Sequence, residues 1–212
     1  MNRVVFIVDG FNLYHSLKKA QPWPTDPSTR WLDLSSLCRS HLHNIGKDAV
    51  LEGVYYISAL ATHLESSKPD VTKRHQEYIH CIESTGVKTL MNRFKRKDIR
   101  CRLCNRPFYK YEEKETDVML ATTLLEQLFT DACDTAVLVT GDSDLAPAVR
   151  TGIKLFPGKK IVFAFPFGNK SKELRSIAPG SFTLGSAAYA KYQFPNPMVM
   201  PDGKLIHKPG HW

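Results

Sequence analysis

The stretch Val4-Val5-Phe6-Ile7-Val8-Asp9-Gly10-Phe11-Asn12 decides the fold class of this chain. Its first five residues are apolar without alternation, which is typical of a strand buried on both faces of a parallel sheet. An acid, a glycine and a helix-like segment over residues 11–20 follow at once. This order of buried strand, polar turn and helix predicts the repeating unit of an α/β protein.

The same pattern recurs along the chain. Further strand-like runs lie at residues 51–57, 87–90, 136–140 and 161–165. The helix-like segments between them cover residues 34–42, 70–83, 116–128 and 143–155, with Thr116 as the expected cap of the third. Strands that alternate with helices predict a doubly wound α/β domain with a mostly parallel central sheet.

The length, net charge and cysteine content limit the class of protein. A length of 212 residues fits one domain and leaves little for a second. The formal net charge of +8 favours polyanionic partners, although a basic surface without function is the alternative. The isolated Cys38, Cys81 and Cys133 favour reduced thiols and a cytoplasmic location. We expect neither a signal peptide nor a membrane segment, because no apolar run approaches about 18 residues.

Acidic residues follow two of the predicted strands. Asp9 ends the first strand, and Asp142 and Asp144 follow the fourth in Thr140-Gly141-Asp142-Ser143-Asp144. Asp117 lies at the start of a predicted helix. Because parallel strands place their carboxyl ends at one sheet edge, we expect these acids to converge there. Taken singly, each of them is equally explained as a turn residue, a helix cap or a first-turn acid.

A convergent set of carboxylates has a chemical consequence. The carboxylates repel one another, and they stay ionised only with a cation between them. Oxygen ligands suit hard cations such as Mg²⁺ or Mn²⁺. Such an ion activates water and stabilises charge on a phosphoryl oxygen. In a basic chain this combination predicts phosphodiester hydrolysis.

Three segments resemble the motifs of a known family. They are Asp9-Gly10-Phe11-Asn12-Leu13, Glu113-Lys114-Glu115-Thr116-Asp117-Val118 and Thr140-Gly141-Asp142-Ser143-Asp144-Leu145. In order and spacing they are similar to those of NYN-domain proteins, a branch of the PIN-like metal-dependent nucleases. The resemblance covers about residues 1–190. It implies a three-layer α/β/α PIN-like domain with a divalent-metal nuclease site.

The resemblance also implies roles for particular residues. It assigns the metal, Mg²⁺ or Mn²⁺, to Asp9, Asp117, Asp142 and Asp144. It places Asn12 in the same catalytic pocket and makes Ser143 a possible hydroxyl contact. Glu115 departs from the family pattern, since a small residue is expected there, and we expect its side chain to point to solvent.

The composition of residues 93–114 predicts a basic insert, either a hairpin or a loop. They contain nine Lys or Arg and three acids, with four aromatic residues interleaved. Cations for phosphates and rings for bases suit single-stranded nucleic acid, and a solvated hairpin with inward-packed rings is the alternative. The candidate nucleic-acid contacts are Arg93, Lys95, Arg96, Lys97, Arg100, Arg102 and Lys114, with Lys170 in the loop after the fifth strand.

Cys101 and Cys104 lie inside the insert with the spacing of a zinc knuckle. A structural zinc needs two further ligands, for which His75, His80 and Cys81 are the available candidates. A reduced thiol pair is the simpler alternative. After residue 190, residues 191–212 are rich in proline and predict an extended C-terminal tail that straps the surface or is partly disordered.

Together these features predict a metal-dependent endoribonuclease that cuts single-stranded RNA. One alternative is a non-catalytic module of the same fold that binds RNA or protein. Another is a nuclease or phosphatase that acts on DNA or nucleotides. The sequence does not distinguish RNA from DNA, because no contact to a 2′-hydroxyl can be read from it.

Overall fold

The computed structural model describes residues 1–21, 23, 28–210 and 212, and within these residues seven strands form the central sheet. They are β1 (Asn2–Asp9), β2 (Ala49–Leu60), β3 (Lys88–Arg100), β4 (Pro107–Lys114), β5 (Thr135–Val139), β6 (Lys160–Phe165) and β7 (Gly180–Thr183). Their spatial order is β4-β3-β2-β1-β5-β6-β7. Each neighbouring pair is parallel except β3 and β4, which are antiparallel. The predicted mostly parallel sheet is therefore confirmed.

Helices cover both faces of the sheet. They are α1 (Gly10–Ala20), α2 (Leu34–Ser40), α3 (Asp70–Ser84), α4 (Thr116–Phe129), α5 (Ala146–Leu155), α6 (Lys172–Ile177) and α7 (Ser186–Lys191). Side chains of α1, α2, α3 and α7 share one hydrophobic cluster, and those of α4, α5 and α6 share the other. The three-layer α/β/α architecture is thus confirmed. Within the described ranges, no helix is long and apolar enough to cross a membrane.

The strand β1 lies at the centre of this arrangement. Successive side chains of a strand point to opposite faces, so Val4, Phe6 and Val8 enter one hydrophobic cluster, while Val5 and Ile7 enter the other. All five are at most 2% exposed. Full burial of such a side chain contributes about 1.5–3 kcal/mol, which explains why the run is apolar without alternation.

The order of the strands fixes where a site can form. From β1 the chain builds β2 and β3 on one side, and then β5, β6 and β7 on the other. The side of the sheet on which new strands are added changes between β1 and β5, although these two neighbouring strands are parallel. Ligands of open α/β sheets bind outside the carboxyl ends of the strands at such a switch point. Asp9 ends β1 at this place, and Thr140 and Gly141 follow β5 beside it.

The predicted insert forms the outer part of the β3–β4 hairpin. The two strands pair from Arg93 opposite Lys114 to Arg100 opposite Pro107. Pairing of β3 with β2 stops at Arg93, so the hairpin continues past the sheet as a two-stranded arm. A turn over residues 101–106 closes its tip. The sequence predicted a hairpin or a loop here, but it did not give the bounds of β4, because most side chains of this strand are exposed.

The C-terminal segment packs on the layer that contains α1, α2 and α3. Two short strands, β8 (Met198–Val199) and β9 (Leu205–Ile206), form an antiparallel pair, and Ile206 is buried. The ring centroid of Trp212 lies 6.1 Å from that of Trp31 and 5.8 Å from that of Tyr78. Core contacts therefore continue past residue 190, and the domain boundary at that residue stays a prediction.

Candidate functional site

Asp9 is the buried acid of the candidate site. Its carboxylate accepts the backbone N–H of Asn12 at 2.9 Å, which caps α1, and the hydroxyl of Thr140 at 2.9 Å. Only 3% of the residue is exposed. Burial raises the pKa of this carboxyl against the effect of both hydrogen bonds, and the charges of Asp117 and Asp142 raise it further. Asp9 is thus held in one orientation and repelled by other acids.

The turn after β5 carries the next two acids. The backbone N–H of Asp142 donates to the hydroxyl oxygen of Thr140 at 3.1 Å, so Thr140 joins this turn to Asp9. The carboxylate of Asp142 accepts the N–H of Asp144 at 3.0 Å and caps the short 3-10 turn Ser143–Leu145. Asp144 and Ser143 are exposed at this turn. The adjacency of β1 and β5 therefore places Asp9 near Asp142, while the charge of Asp144 acts on Asp117.

Asn12 joins the start of α1 to two loops at the carboxyl edge of the sheet. Its side-chain oxygen accepts the N–H of Gly141 at 3.1 Å and the side-chain amide of Asn169. Gly141 is required there, since an added Cβ would lie 2.4 Å from the backbone oxygen of Asn169. Lys170 follows Asn169 and is exposed. The start of α1 and the loops after β5 and β6 are thereby fixed relative to one another.

Two more carboxylates come from the β4–α4 connection. Asp117 is the second residue of α4, and its pKa is raised by burial and by the charges of Asp142 and Asp144. Glu113, in β4, has its pKa raised by burial and by the charges of Asp9 and Asp117. One oxygen of Glu113, Oε1, is buried without a hydrogen-bond partner in the part of the chain that the structure describes.

Glu113 was missed as a site residue in the sequence, although it lies in the quoted middle motif. Strand alternation is the pattern that could have found it. Neighbouring residues of β4 point to opposite faces, so Glu113 turns inward while Glu112 and Lys114 turn to the other face. The contact of Thr140 with Asp9 was missed too, because it joins distant parts of the sequence.

The acids form a loose cluster rather than a closed ligand set. Among the residues that the structure describes, no group of three or more His, Cys, Asp or Glu side chains is arranged to hold a metal ion. The chemistry of the cluster nevertheless fits a hard divalent cation, because its donors are all oxygens that repel one another. The orphaned oxygen of Glu113 lacks the partner that a cation would supply. Closure around an ion would require side-chain rotation.

The start of α4 differs from the expectation. Thr116 does not cap the helix; it is the first helical residue, and its hydroxyl accepts the side-chain amide of Asn92 at 3.1 Å. Glu115 occupies the cap position with φ +79° and no side-chain capping bond. A left-handed backbone favours glycine, which is a physical reason to expect a small residue there. The Glu115 side chain is half-exposed and pairs with Lys95 at 3.2 Å.

The hairpin presents most of its cations on one face. Lys97, Lys110 and Lys114 pair with Glu112 at 3.1, 2.6 and 3.1 Å, and they lower the pKa of that carboxyl to about 2. Arg93 lies 3.8 Å from Glu115 on the same side. Exposed ion pairs of this kind contribute little to stability, so the cations remain able to exchange these acids for phosphates.

The opposite face of the hairpin carries aromatic contacts. The guanidinium of Arg96 lies 4.4 Å from the ring centroid of Tyr109, and His63 lies 4.5 Å from the rings of both Phe94 and Tyr111. Tyr109 remains exposed. Phe94 and Tyr111 therefore pack against His63, whereas Tyr109 is exposed to solvent. Arg100 and Arg102 are exposed near the tip of the hairpin.

Cys101 and Cys104 occupy the turn of the hairpin. The backbone N–H of Cys101 donates to Arg106, and hydrogen bonds from Cys104 and Leu103 lower the pKa of the Cys101 thiol. The partners considered in α3 do not join them. Cys81 is buried in the core, and His75 contacts the hydroxyl of Tyr56 at 3.3 Å. Helix α3 lies on the sheet, so it does not supply ligands to an arm that extends beyond it.

Three comparisons place the chain among known proteins. The model of the NYN domain matches residues 3–185. The 6-hydroxy-3-succinoylpyridine 3-monooxygenase HspA of Pseudomonas putida is 26% identical over 246 aligned positions, which cover 99% of this chain and 75% of that protein. A protein of unknown function from Vibrio parahaemolyticus has a similar structure, with a TM-score of 0.57, 14% identity and coverage of 87% of this chain and 93% of that one. The last likeness concerns the fold alone. Since the domain match spans most of its length, this chain belongs to the NYN domain family, with its PIN-like fold of the nuclease type.

Proposed function

We propose that this chain is a metal-dependent endoribonuclease that hydrolyses phosphodiester bonds of single-stranded RNA. The observation that carries the proposal is the convergence of Asp9, Asp117 and Asp142, from three separate elements, at the switch point of the sheet, where neighbouring charges raise the pKa of Asp9 and Asp117. The roles of Asp9 and Asp142 as helix caps do not require that the acids lie together. A cationic arm begins beside them at Glu113 and Lys114.

The proposed metal ligands are Asp9, Asp117, Asp142 and Asp144, with Glu113 as a further carboxylate. A bound Mg²⁺ or Mn²⁺ would lower the pKa of a water molecule and stabilise charge on the phosphoryl oxygens. The hydrogen bonds from Thr140 and Asn12 keep Asp9 in place for this purpose. Ser143, exposed next to Asp142, is proposed as a hydroxyl contact to the substrate.

The hairpin is proposed to hold the RNA strand. Its lysines and arginines bind phosphates and release counterions, and the exposed Tyr109 and Phe108 stack on bases. Lys114 begins this path at the acidic cluster, and Lys170 lies across the site in the loop after β6. The strand would thus pass over the carboxyl ends of β1 and β5.

The experiment compares cleavage of labelled single-stranded RNA and DNA of one sequence with Mn²⁺, Mg²⁺ or EDTA. We expect RNA to be cut only with metal. Asp142→Asn keeps the size of the side chain and removes its charge, so kcat should fall by about 10²–10³ or more. The matched control is Asp202→Asn, an exposed acid in the C-terminal turn, which should cut like the wild type.

Each other result points to a different conclusion. If Asp142→Asn cuts as fast as the wild type, the activity comes from a contaminant or another site. If RNA binds without being cut under any metal condition, the chain is a binding module. If DNA or free nucleotides are the better substrates, the alternative nuclease or phosphatase replaces the proposal.

One observation favours a second candidate, a monooxygenase acting on a small aromatic acid. A cavity of about 360 Å³ lined by aromatic rings adjoins Gly10 and Phe11, and the relative from Pseudomonas putida is named for a pyridine substrate. The carboxylate cluster favours the nuclease, because ring hydroxylation makes no use of gathered acids. The test incubates the chain with 6-hydroxy-3-succinoylpyridine, dioxygen and a reductant. Mass spectrometry would detect a pyridine product with oxygen at ring position 3 in place of the succinoyl group, which would favour the second candidate.

A structural zinc at Cys101 and Cys104 also stays a proposal. The two thiols provide half of a tetrahedral set, so the other two ligands would have to come from outside the pair. Metal analysis of the purified protein, before and after exchange of both cysteines for serine, would test it. Zinc that is lost only from the double variant would establish the site.

A further inference from the structure

A second feature lies beside the acidic cluster and has no role in the proposed chemistry. It is the cavity of about 360 Å³ between α1, β2 and α3. Its wall contains the rings of Phe11, Tyr56 and Phe94, together with His63 and Arg74. A volume of this order suits a ligand of nucleotide size, and a ring-lined cavity with few polar groups is typical of small-ligand sites.

The cavity and the acidic cluster share a boundary. Gly10 and Phe11 line the cavity and directly follow Asp9 in the chain. Phe94 lines it as well and stands directly opposite Glu113 in the β3–β4 ladder, so the two side chains share a face of the hairpin. The ring centroids of Phe11 and Phe94 lie 5.7 Å apart. A ligand that reaches from one region to the other passes this aromatic pair.

Two residues of the cavity wall also carry polar atoms without partners. The Nε of Arg74 and the Nδ1 of His63 are buried, and neither has a hydrogen-bond partner among the residues that the structure describes. An arginine stays protonated, so its Nε–H is a donor that needs an acceptor. Guanidinium groups match phosphate and carboxylate oxygens closely. The ligand that fits is therefore a planar ring that carries an anionic oxygen group.

We propose that this cavity binds one nucleotide of the RNA substrate, with its base among Phe11, Tyr56 and Phe94 and its phosphate on Arg74. The inference rests on the proposed function, because a nucleotide in the cavity is a neighbour of the phosphodiester bond at the acidic cluster. Every base has an aromatic face, so ring stacking tolerates different sequences. The subsite would hold the strand in register without selecting strongly among bases.

The experiment measures binding of adenosine 5′-monophosphate and uridine 5′-monophosphate to the full chain by calorimetry in EDTA. Without metal, the acidic cluster has no cation with which to attract phosphate. We expect both nucleotides to bind, and Arg74→Met to weaken them by about 10-fold or more, as for loss of a charge-assisted hydrogen bond. Adenosine, which lacks the phosphate, should bind the two proteins equally.

Two further variants test whether weaker binding by Arg74→Met results from a folding defect. Arg74→Lys keeps the positive charge and should recover part of the affinity, with an unchanged thermal midpoint. Arg150→Met removes an exposed arginine of α5, which pairs with Glu173 at 3.3 Å, and should bind nucleotides like the wild type. Equal nucleotide affinity in wild type and Arg74→Met, or no binding by the wild type at millimolar nucleotide, would overturn the proposal.

Failure of this proposal is distinguishable from failure of the nuclease proposal. If RNA is cut but Arg74→Met leaves both KM and kcat unchanged, the subsite is refuted and the nuclease stands. If RNA is never cut while nucleotides bind through Arg74, the nucleotide site is supported and the nuclease proposal fails.

Discussion

Single side chains divide the acidic cluster into a fixed part and an adjustable part. Asp9 is buried and held by two hydrogen bonds, whereas Asp117 and Asp144 are exposed. Glu113 lies between these extremes, with one oxygen buried and unpaired among the described residues. The acids are close enough to raise one another's pKa, but among the described residues their side chains do not form a closed ligand set. The exposed members are free to rotate toward an ion.

Glu113→Gln tests whether this overlooked carboxylate serves the metal. The change keeps the shape and removes a charge that repels Asp9 and Asp117. We expect the Mn²⁺ concentration needed for half-maximal cleavage to rise by about 10-fold or more. The matched control is Glu112→Gln, the adjacent acid on the opposite face, which binds three lysines. An equal Mn²⁺ requirement in both variants would contradict the assignment.

Gly141→Ala tests the contact between the loops after β5 and β6. The new Cβ would lie 2.4 Å from the backbone oxygen of Asn169, so one of the two loops must move. We expect a loss of about 1–3 kcal/mol in the free energy of unfolding, measured with urea, together with reduced cleavage. Gly158→Ala meets no atom within 4 Å and should change stability by less than about 0.5 kcal/mol. If both variants unfold alike, the close approach is not rigid.

The β3–β4 hairpin is the element that departs most from a plain α/β sheet. It extends past the sheet with charged residues along both strands. Lysines on an exposed edge also prevent strands of different molecules from pairing. The positive charge therefore has two explanations, nucleic-acid binding and edge protection. Only the first explanation requires that removing the charges weaken RNA binding.

A triple change of Lys95, Lys97 and Lys114 to glutamine separates the two explanations. If these side chains bind phosphates, the slope of log affinity against log salt should become shallower by about 2 for single-stranded RNA. Fluorescence anisotropy at several salt concentrations measures this slope. The control removes three exposed lysines elsewhere, Lys47, Lys154 and Lys204. Equal slopes in the two triple variants would leave edge protection as the explanation.

The molecule as a whole is tied together at the end of the sheet opposite the acidic cluster. Asp134 accepts the backbone N–H of Arg3 at 2.9 Å and two guanidinium hydrogen bonds at 3.1 and 2.9 Å. Lys159 lies 3.5 Å from the same carboxylate and also pairs with Asp131. These contacts join β1, the α4–β5 connection and the start of β6. Arg3 and Lys159 hold the pKa of Asp134 well below its usual range.

This network predicts a loss of stability in acid. A carboxyl whose pKa is depressed by folding stabilises the native state above its unfolded pKa, which is about 4, and loses this effect as pH falls through the folded pKa. Asp134→Asn should therefore be less stable than wild type at pH 7, and the difference should shrink toward about pH 2. Urea unfolding at both pH values measures it. Asp202→Asn serves as the exposed control, and a difference that is constant with pH would refute the prediction.

The amino-acid sequence by itself determined the α/β class, the approximate positions of β1, β2, β3, β5 and β6, and the order of the acidic motifs. These features follow from local hydrophobic periodicity and from the types of residue at strand ends, which need no tertiary contact to be read. It did not give the bounds of β4, and it did not reveal β7, α7 or the inward direction of Glu113.

Only the tertiary structure decided which side chains meet. Asn12 contacts Gly141 and Asn169, which lie 129 and 157 residues away along the chain. The tertiary structure also decided that Asp9 is the buried acid of the cluster and that a ring-lined cavity lies next to this residue. The physical reason is that the burial of a side chain and its hydrogen-bond partners depend on the packing of elements distant in sequence. The patterns that predict strands and helices depend only on neighbours along the chain.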